Sequence, residues 1–245
     1  MNRKNKIGIY LLSFFAVVAI IGISISDVIK QDEAYHCFSD AKPWLGIPNF
    51  WNVVSNFPYL IVGVLGLRKY SIKSKQYFIF FCSMILIAFG SSYYHWNPNN
   101  VTLVWDRLPM TLAFMSIVSI IISEFISLDL GKKLVFPFLL IGLSSVMYWV
   151  VFDDLRFYAL VQFYPMVAVP IIMLTFESRY TITKGYWLLF LSYFLAKLCE
   201  HYDHQIHHAL HIISGHTIKH VVSAVGVYFL YTYYNNRLCL SHQKK

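Results

Sequence analysis

The sequence GSSYYHWNPNNVTLVWDRLPM, residues 90–110, joins two long apolar runs of the chain. Each run is long enough to cross a bilayer, which takes about 20 residues of helix. The Asn-Pro-Asn-Asn segment at 97–100 predicts a turn between them. His95 and Asp106 lie close to that turn, one in each run. Because ionisable side chains at membrane depth are costly, they indicate a functional site by default.

The composition is that of a membrane protein. Hydrophobic residues make up 58% of the 245 residues, charged residues make up 13%, and the mean hydropathy is +0.55. Soluble domains carry about 25% charged residues. A net charge of +8 would suggest an acidic partner for a soluble protein, but here the basic residues follow the loops of a membrane protein. We therefore expect no nucleic-acid partner, and the sequence indicates no particular protein partner.

Eight apolar runs predict an all-α, polytopic membrane protein: a seven-transmembrane-helix bundle with one additional N-terminal transmembrane helix. The first run, at about 7–29, follows a basic head. Its length favours a retained helix or signal anchor over a cleaved signal peptide. The other seven runs are 50–67, 77–95, 101–126, 134–151, 155–176, 185–201 and 214–234.

These runs divide the chain into four predicted segments. An N-terminal transmembrane helix or signal anchor (1–30) is followed by an outer polar segment (31–49). The seven-helix domain occupies 50–234, and a cytoplasmic tail occupies 235–245.

The distribution of Lys and Arg predicts the orientation in the membrane. Fourteen of the twenty lie in the head, in the tail and in the loops 68–76, 127–133 and 177–184, whereas Lys30, Lys42 and Arg156 lie in loops of the opposite side. Cytoplasmic loops carry the excess of basic residues. We therefore expect both termini in the cytoplasm and the histidine-bearing helix ends on the outer, periplasmic or lumenal, side.

The spacing around the first turn predicts a cluster of polar side chains. Ser91 and His95 are four residues apart and so share one face of a helix. Asp106 lies about as far beyond the turn as Ser91 lies before it, at 1.5 Å per residue. All three side chains should therefore lie near one end of the bundle.

A second pair of histidines complements this cluster. His216 and His220 are four residues apart at the start of the last apolar run. Two such histidines supply zinc with two ligands from one helix, and His95 as the third would leave one position open, as in catalytic sites. Asp106 could then accept a proton from water, and Ser91 could hydrogen-bond the water or a developing oxyanion. The alternative is that the histidines are interfacial hydrogen-bonding residues and that Ser91 is a packing residue.

Three further charged residues lie near the late histidines. Glu200 and Asp203 are predicted to have a structural role, such as ordering the turn before His216. Lys219 is predicted to face outward or to extend its amine toward the membrane surface.

Four motifs carry a family resemblance: NFWNVVSN at 49–56, Ser91-x-x-x-His95, Asp106 followed by Leu-Pro-Met at 108–110, and His216-x-x-x-His220. Through them, about 49–225 of the chain resembles the alkaline ceramidases. That family belongs to a superfamily of seven-helix membrane hydrolases that also contains the adiponectin/progestin receptors and the Per1-like proteins.

The resemblance implies an amidohydrolase acting on linear amides. It implies zinc on His95, His216 and His220, with a water molecule contacting Asp106 and Ser91. The reaction would be hydrolysis of the amide bond of a ceramide-like N-acyl lipid to a free fatty acid and a sphingoid base or other amine. Asp106 would act as general base and then general acid, while Ser91 and the metal would stabilise the oxyanion. A receptor-like or channel-like protein with a structural zinc site is the alternative.

The resemblance does not extend to a calcium site. Ceramidases carry a glutamate of an acidic calcium-binding segment at the place where this chain has Asn49. Calcium is therefore doubtful, although Asp32, Glu33 and Asp40 provide carboxylates from which a site could be rebuilt.

Overall fold

The computed structural model describes residues 2–70 and 74–240, and it is all-α as predicted. The helices are α1 (Arg3–Ile25), α2 (Phe50–Val54), α3 (Phe57–Tyr70), α4 (Lys75–Trp96), α5 (Asn100–Ile121), α6 (Leu128–Phe152), α7 (Arg156–Thr175), α8 (Lys184–His201), α9 (Asp203–Leu210) and α10 (Gly215–Asn236). A 3₁₀ turn spans Glu33–His36, and one π-helical turn, Ile122–Ile126, extends α5. Residues 241–245 of the predicted tail and Lys73 of the loop 68–76 lie outside the described residues.

Within the described ranges, six helical spans are long and apolar enough to cross a membrane. They are Arg3–Ile25, Phe50–Tyr70, Lys75–Trp96, Asn100–Ile126, Leu128–Phe152 and Arg156–Thr175. The runs predicted at 185–201 and 214–234 form α8 and α10, which pack against each other. Charged and histidine side chains make these two helices less apolar than the others, so the predicted count of seven plus one is not confirmed.

The turn predicted at 97–100 is fixed by a capping box at the start of α5. The side-chain oxygen of Asn99 accepts hydrogen bonds from the amides of Val101 and Thr102, and the Thr102 hydroxyl accepts one from the Asn99 amide. These bonds satisfy amides that have no partner inside the helix. Helix α5 consequently packs back along α4 over most of its length.

Helix α1 lies at the edge of the bundle. Gly8 is its buried residue, and most of its surface is exposed. It contacts α7, where the Tyr164 hydroxyl donates to the carbonyl of Leu12 at 3.0 Å. An apolar helix exposed in this way is suited to contact with lipid.

The bundle has two chemically different ends. At the end that carries His95, called the histidine end below, the segment between α1 and α2 packs on the α6–α7 loop: Leu155 donates its amide to the carbonyl of Ile29. At the opposite end, Arg237 forms a buried ion pair with Glu124, 2.6 Å apart. Which end faces the cytoplasm stays a prediction from the basic loops.

Candidate metal centre

Three histidines meet at the histidine end of the bundle. His95 comes from the last turn of α4, and His216 and His220 come from the start of α10. All three are buried, and their candidate ligand nitrogens lie within 4.8 Å of one another. The Nε2 atoms of His95 and His216 are 3.3 Å apart. This group can hold a metal ion.

Small and polar residues place the first turn of α10 at this point. Ser214 accepts the amide proton of Thr217 and so caps the helix. A Cβ at Gly215 would lie 2.1 Å from the carbonyl oxygen of Cys199, so only glycine permits this approach to the end of α8. Asp203 Oδ1 accepts the amide proton of His216 at 2.6 Å. Asp203 therefore orders the turn before His216, the role predicted for it.

The Asp203 carboxylate is stabilised in its ionised form. Burial raises the pKa of this carboxyl, but hydrogen bonds from Ser39 and from the His216 amide outweigh the effect of burial, and the pKa lies below its ordinary value. A negative charge at this position also complements the positive N-terminal end of α10.

Ser55 fixes the orientation of His220. Its hydroxyl donates to the carbonyl of Asn52 at 3.2 Å, and its oxygen lies 2.8 Å from His220 Nδ1. A serine has one proton to donate, so in this arrangement its oxygen accepts from an N–H on Nδ1. The lone pair of His220 is then on Nε2, the tautomer that a metal needs.

The motif at 49–56 surrounds the histidines with amide side chains. Asn49 donates to the carbonyl of His95 at 2.8 Å. Asn52 donates to the carbonyl of Asp40 and accepts from the hydroxyl of Thr217, one residue after His216. The short helix α2 therefore ties α4, α10 and the outer segment together around the site.

Phe38 covers the histidines on the side of the 31–49 segment. Its ring centroid lies 4.7 Å from that of His95 and 4.5 Å from that of His216. His95 Nδ1 is buried without a hydrogen-bond partner. The position of the His95 ring thus depends on packing against Phe38 and Tyr94.

The carboxylates considered for calcium have separate partners. Asp32 caps the 3₁₀ turn by accepting from the amide of Ala34, Glu33 accepts from the side chain of Asn100, and Asp40 is buried beside α2. Among the described residues, His95, His216 and His220 are the group of three or more potential metal ligands whose ligand atoms lie close together.

A cavity of about 460 Å³ opens next to the histidines. Ser91, Asp106 and His220 line it at the histidine end, where Ser91 lies beside the Asp106 carboxylate. Apolar residues such as Ile121 line it farther along the bundle. Asp106 and Ile121 are separated along α5 by about 22 Å, at 1.5 Å per residue. The cavity is therefore polar at one end and apolar along its length.

A half-buried cluster of charges lines the same end of the cavity. Glu200 pairs with Lys197 at 2.7 Å and with Lys219. The prediction that Lys219 faces outward is wrong, because the start of α10 packs against the end of α8, where Glu200 holds the amine. Glu200 does not order the His216 turn as predicted; that contact belongs to Asp203.

The donor set is suited to a metal ion, and one pair of its nitrogens has the spacing of ligands on a tetrahedral ion. Two nitrogen ligands each about 2.0–2.1 Å from a tetrahedral zinc lie about 3.3 Å apart, which is the separation of His95 Nε2 and His216 Nε2. Three imidazoles with one in a defined tautomer match the protein ligands of catalytic zinc sites. A carboxylate and a hydroxyl lie in the adjoining cavity rather than within the group.

No protein-family model matches this chain, and no curated protein sequence matches it. The fold and the site by themselves define a helical polytopic membrane protein with a buried three-histidine group that can hold a metal ion.

Three residues at the site had no role in the sequence interpretation. Ser55 lies within the quoted motif at 49–56, but nothing local indicates which histidine it reaches. Phe38 lies in an irregular segment without periodicity. Arg107 could have been identified, because an arginine within an apolar run is a functional candidate on the same ground as Asp106.

Proposed function

We propose that this protein is a zinc-dependent intramembrane hydrolase that cleaves the amide bond of ceramide-like N-acyl lipids. The observation that carries the proposal is that His220, Asp106 and Ser91 line one end of a single long, mostly apolar cavity. Catalytic zinc sites keep one position open beside three protein ligands. The resemblance to alkaline ceramidases supports the same reaction.

His95, His216 and His220 would hold the ion. A Zn²⁺ ion in such a set supplies Lewis acidity, which polarises a carbonyl and lowers the pKa of water to about 7. The apolar length of the cavity would take the acyl chain, because burial of methylene groups there is favourable. The amide group of the lipid would then lie among the polar residues at the histidine end.

Asp106 would move the protons. Its carboxylate accepts a proton from the water that attacks the carbonyl carbon, the C–N bond breaks, and the same proton passes to the leaving nitrogen. The products are a carboxylic acid and an amine.

Ser91 would act in two states. While Asp106 is ionised, the neighbouring Ser91 would donate its single proton to the carboxylate and so orient Asp106. Once Asp106 carries a proton, it can donate to Ser91 Oγ. The Ser91 proton is then free to stabilise the oxyanion formed from the carbonyl.

The test is release of fatty acid from a panel of N-acyl lipids by the detergent-purified full chain, with and without a zinc chelator. We expect chelator-sensitive release, its loss in His220→Ala, and a decrease of roughly 100-fold or more in kcat for Asp106→Asn. His208→Ala, at an exposed histidine of α9, is the matched control and should leave the rate unchanged.

Two results would overturn the proposal. Purified protein without bound metal would remove the zinc site. Bound zinc with no turnover of any lipid in the panel would instead support the receptor-like or channel-like alternative with a structural metal.

A further inference from the structure

Arg107 is a buried cation without a carboxylate partner. Its side chain is 6% exposed, and its guanidinium lies over the rings of Trp149, at 4.2 Å, and Tyr158, at 4.9 Å. Nη2 donates to Gln31 Oε1 at 2.7 Å. Nη1 is buried and has no hydrogen-bond partner. Leaving such a donor unpaired is costly, more so when it is charged.

The same side chain lines the cavity. Arg107 follows Asp106 in α5, and both residues line the polar end together with His220. The guanidinium and His220 therefore border the same cavity.

The charged residues around the cavity include more cations than carboxylates. Its lining includes three cations, Arg107, Lys197 and Lys219, and two carboxylates, Asp106 and Glu200. Glu200 is held by both lysines, which leaves Asp106 as the carboxylate of the lining that can offset the charge of Arg107. Among the described residues no acidic group lies within 4.0 Å of the Arg107 guanidinium. The cavity therefore favours an anionic ligand.

We propose that Arg107 binds an acidic group, a carboxylate or a phosphate, at the polar end of an amphiphile whose chain occupies the cavity. The planar guanidinium, which lies over two aromatic rings and has one nitrogen without a partner, suits oxygen acceptors of this kind. For the reaction, this inference rests on the proposed function: the substrate would be an N-acyl amphiphile with an acidic group close to the amide. The binding step itself needs no catalysis.

The experiment compares three ligands of one chain length, hexadecanoate, hexadecyl phosphate and hexadecanol, for binding to the full chain in detergent. The wild-type protein should bind at least one of the acids roughly 10- to 100-fold more tightly than the alcohol, as expected for a charge-assisted hydrogen bond. Comparison of the two acids identifies the preferred group. The measurement is repeated after zinc chelation, because an acid could also bind to a metal.

Variants then assign the preference to Arg107. Arg107→Gln should bind the acids no more tightly than the alcohol, and Arg107→Lys should keep only part of the preference. Lys75→Gln removes an exposed cation that lies over the ring of Phe136, far from the cavity lining, and should behave as wild type.

The proposal is overturned if the wild-type protein binds the alcohol as tightly as the acids, a comparison that does not depend on any variant folding. It is also overturned if Arg107→Gln retains the preference, or if chelation abolishes it. If the protein cleaves neutral N-acyl lipids as well as those that carry an acidic group, this inference is contradicted but the proposed hydrolase function is not.

Discussion

Ser55 Oγ lies 2.8 Å from His220 Nδ1, across 165 residues of sequence. The contact joins the segment between α2 and α3 to the second turn of α10. It holds the one histidine of the group that also lines the cavity. The orientation of His220 is therefore set by a residue that does not itself belong to the histidine group.

Removal of the Ser55 hydroxyl should weaken metal binding without unfolding the protein. Substitution of a group that orients a ligating histidine typically costs about 10- to 100-fold in metal affinity, and we expect Ser55→Ala to fall in that range. The measurement is zinc affinity by competition with a chelator. Ser116→Ala is the matched control, because Ser116 is also buried but donates to the carbonyl of Ala113 within α5. Equal affinities in the two variants would show that the contact does not orient the ring.

Loss of the Asp203 carboxylate should destabilise the first turn of α10. Asp203→Ala leaves the His216 amide without its acceptor, and a lost hydrogen bond to a charged group costs about 1–3 kcal/mol. We expect a lower unfolding temperature together with weaker zinc binding, since His216 loses its backbone anchor. Asp203→Asn, which keeps an oxygen acceptor, should recover part of both losses. If both variants match wild type in both measurements, the contact has no structural role.

The sequence was sufficient for the helical class and for the placement of His216 beside His220, because both follow from local periodicity. The i, i+4 spacing of His216 and His220 puts both on one face, and the turn signal before Asn99 sends α5 back along α4. These relations hold within a helix or across one short turn, so they do not depend on the rest of the fold.

The surroundings of the site could not be predicted in the same way. Lys219 lies one residue before His220, and only the packing of α10 on α8 decides that it reaches Glu200. The surroundings of the Arg107 guanidinium include rings from α6 and α7, and Phe38 comes from a segment with no regular structure. Such contacts join distant parts of the chain whose relative position no local pattern specifies.

The number of membrane-spanning helices shows a second limit of prediction from sequence. Helices α8 and α10 have the length of spans, but their charged side chains face the cavity and each other, which lowers their average hydropathy. A composition averaged over all faces of a helix cannot distinguish polar groups that are paired inside a bundle from polar groups in water.

Acid should weaken the attachment of α1 to the bundle through Asp154. The Arg156 guanidinium hydrogen-bonds the Asp154 carboxylate and lowers its pKa, and it also donates to the carbonyl of Ser26 just after α1. Because the pKa of Asp154 is lower in the folded protein, its contribution to stability is present above the pKa of the unfolded chain, about 3.9. That contribution is lost as the pH falls through the folded-state value.

The unfolding temperature of wild type should therefore exceed that of Asp154→Asn at neutral pH, and the difference should shrink below about pH 4. The two proteins are compared over pH 3 to 7 in one detergent. A difference that is constant with pH would mean that the ionised carboxylate is not the stabilising form. An increasing difference at low pH would reverse the sign of the argument.

Gly90 sets the distance between the two helices that carry Ser91 and Asp106. A Cβ at position 90 would lie 2.0 Å from the carbonyl oxygen of Trp105, which is backbone and cannot rotate away. Gly90→Ala must therefore push α4 and α5 apart next to Ser91 and Asp106. Overpacking of this kind costs about 1–3 kcal/mol, and we expect a lower unfolding temperature together with a loss of the proposed amide hydrolysis.

Gly22→Ala is the matched control, because Gly22 also lies within a helix and its Cβ would meet nothing within 4 Å. Alanine is favoured over glycine in a helix by up to about 1 kcal/mol, so this variant should be as stable as wild type or more so. The measurements are the unfolding temperature and the rate of fatty-acid release for both variants. If Gly90→Ala keeps wild-type stability and rate, the close approach of α4 and α5 at Trp105 is not what holds Ser91 against Asp106.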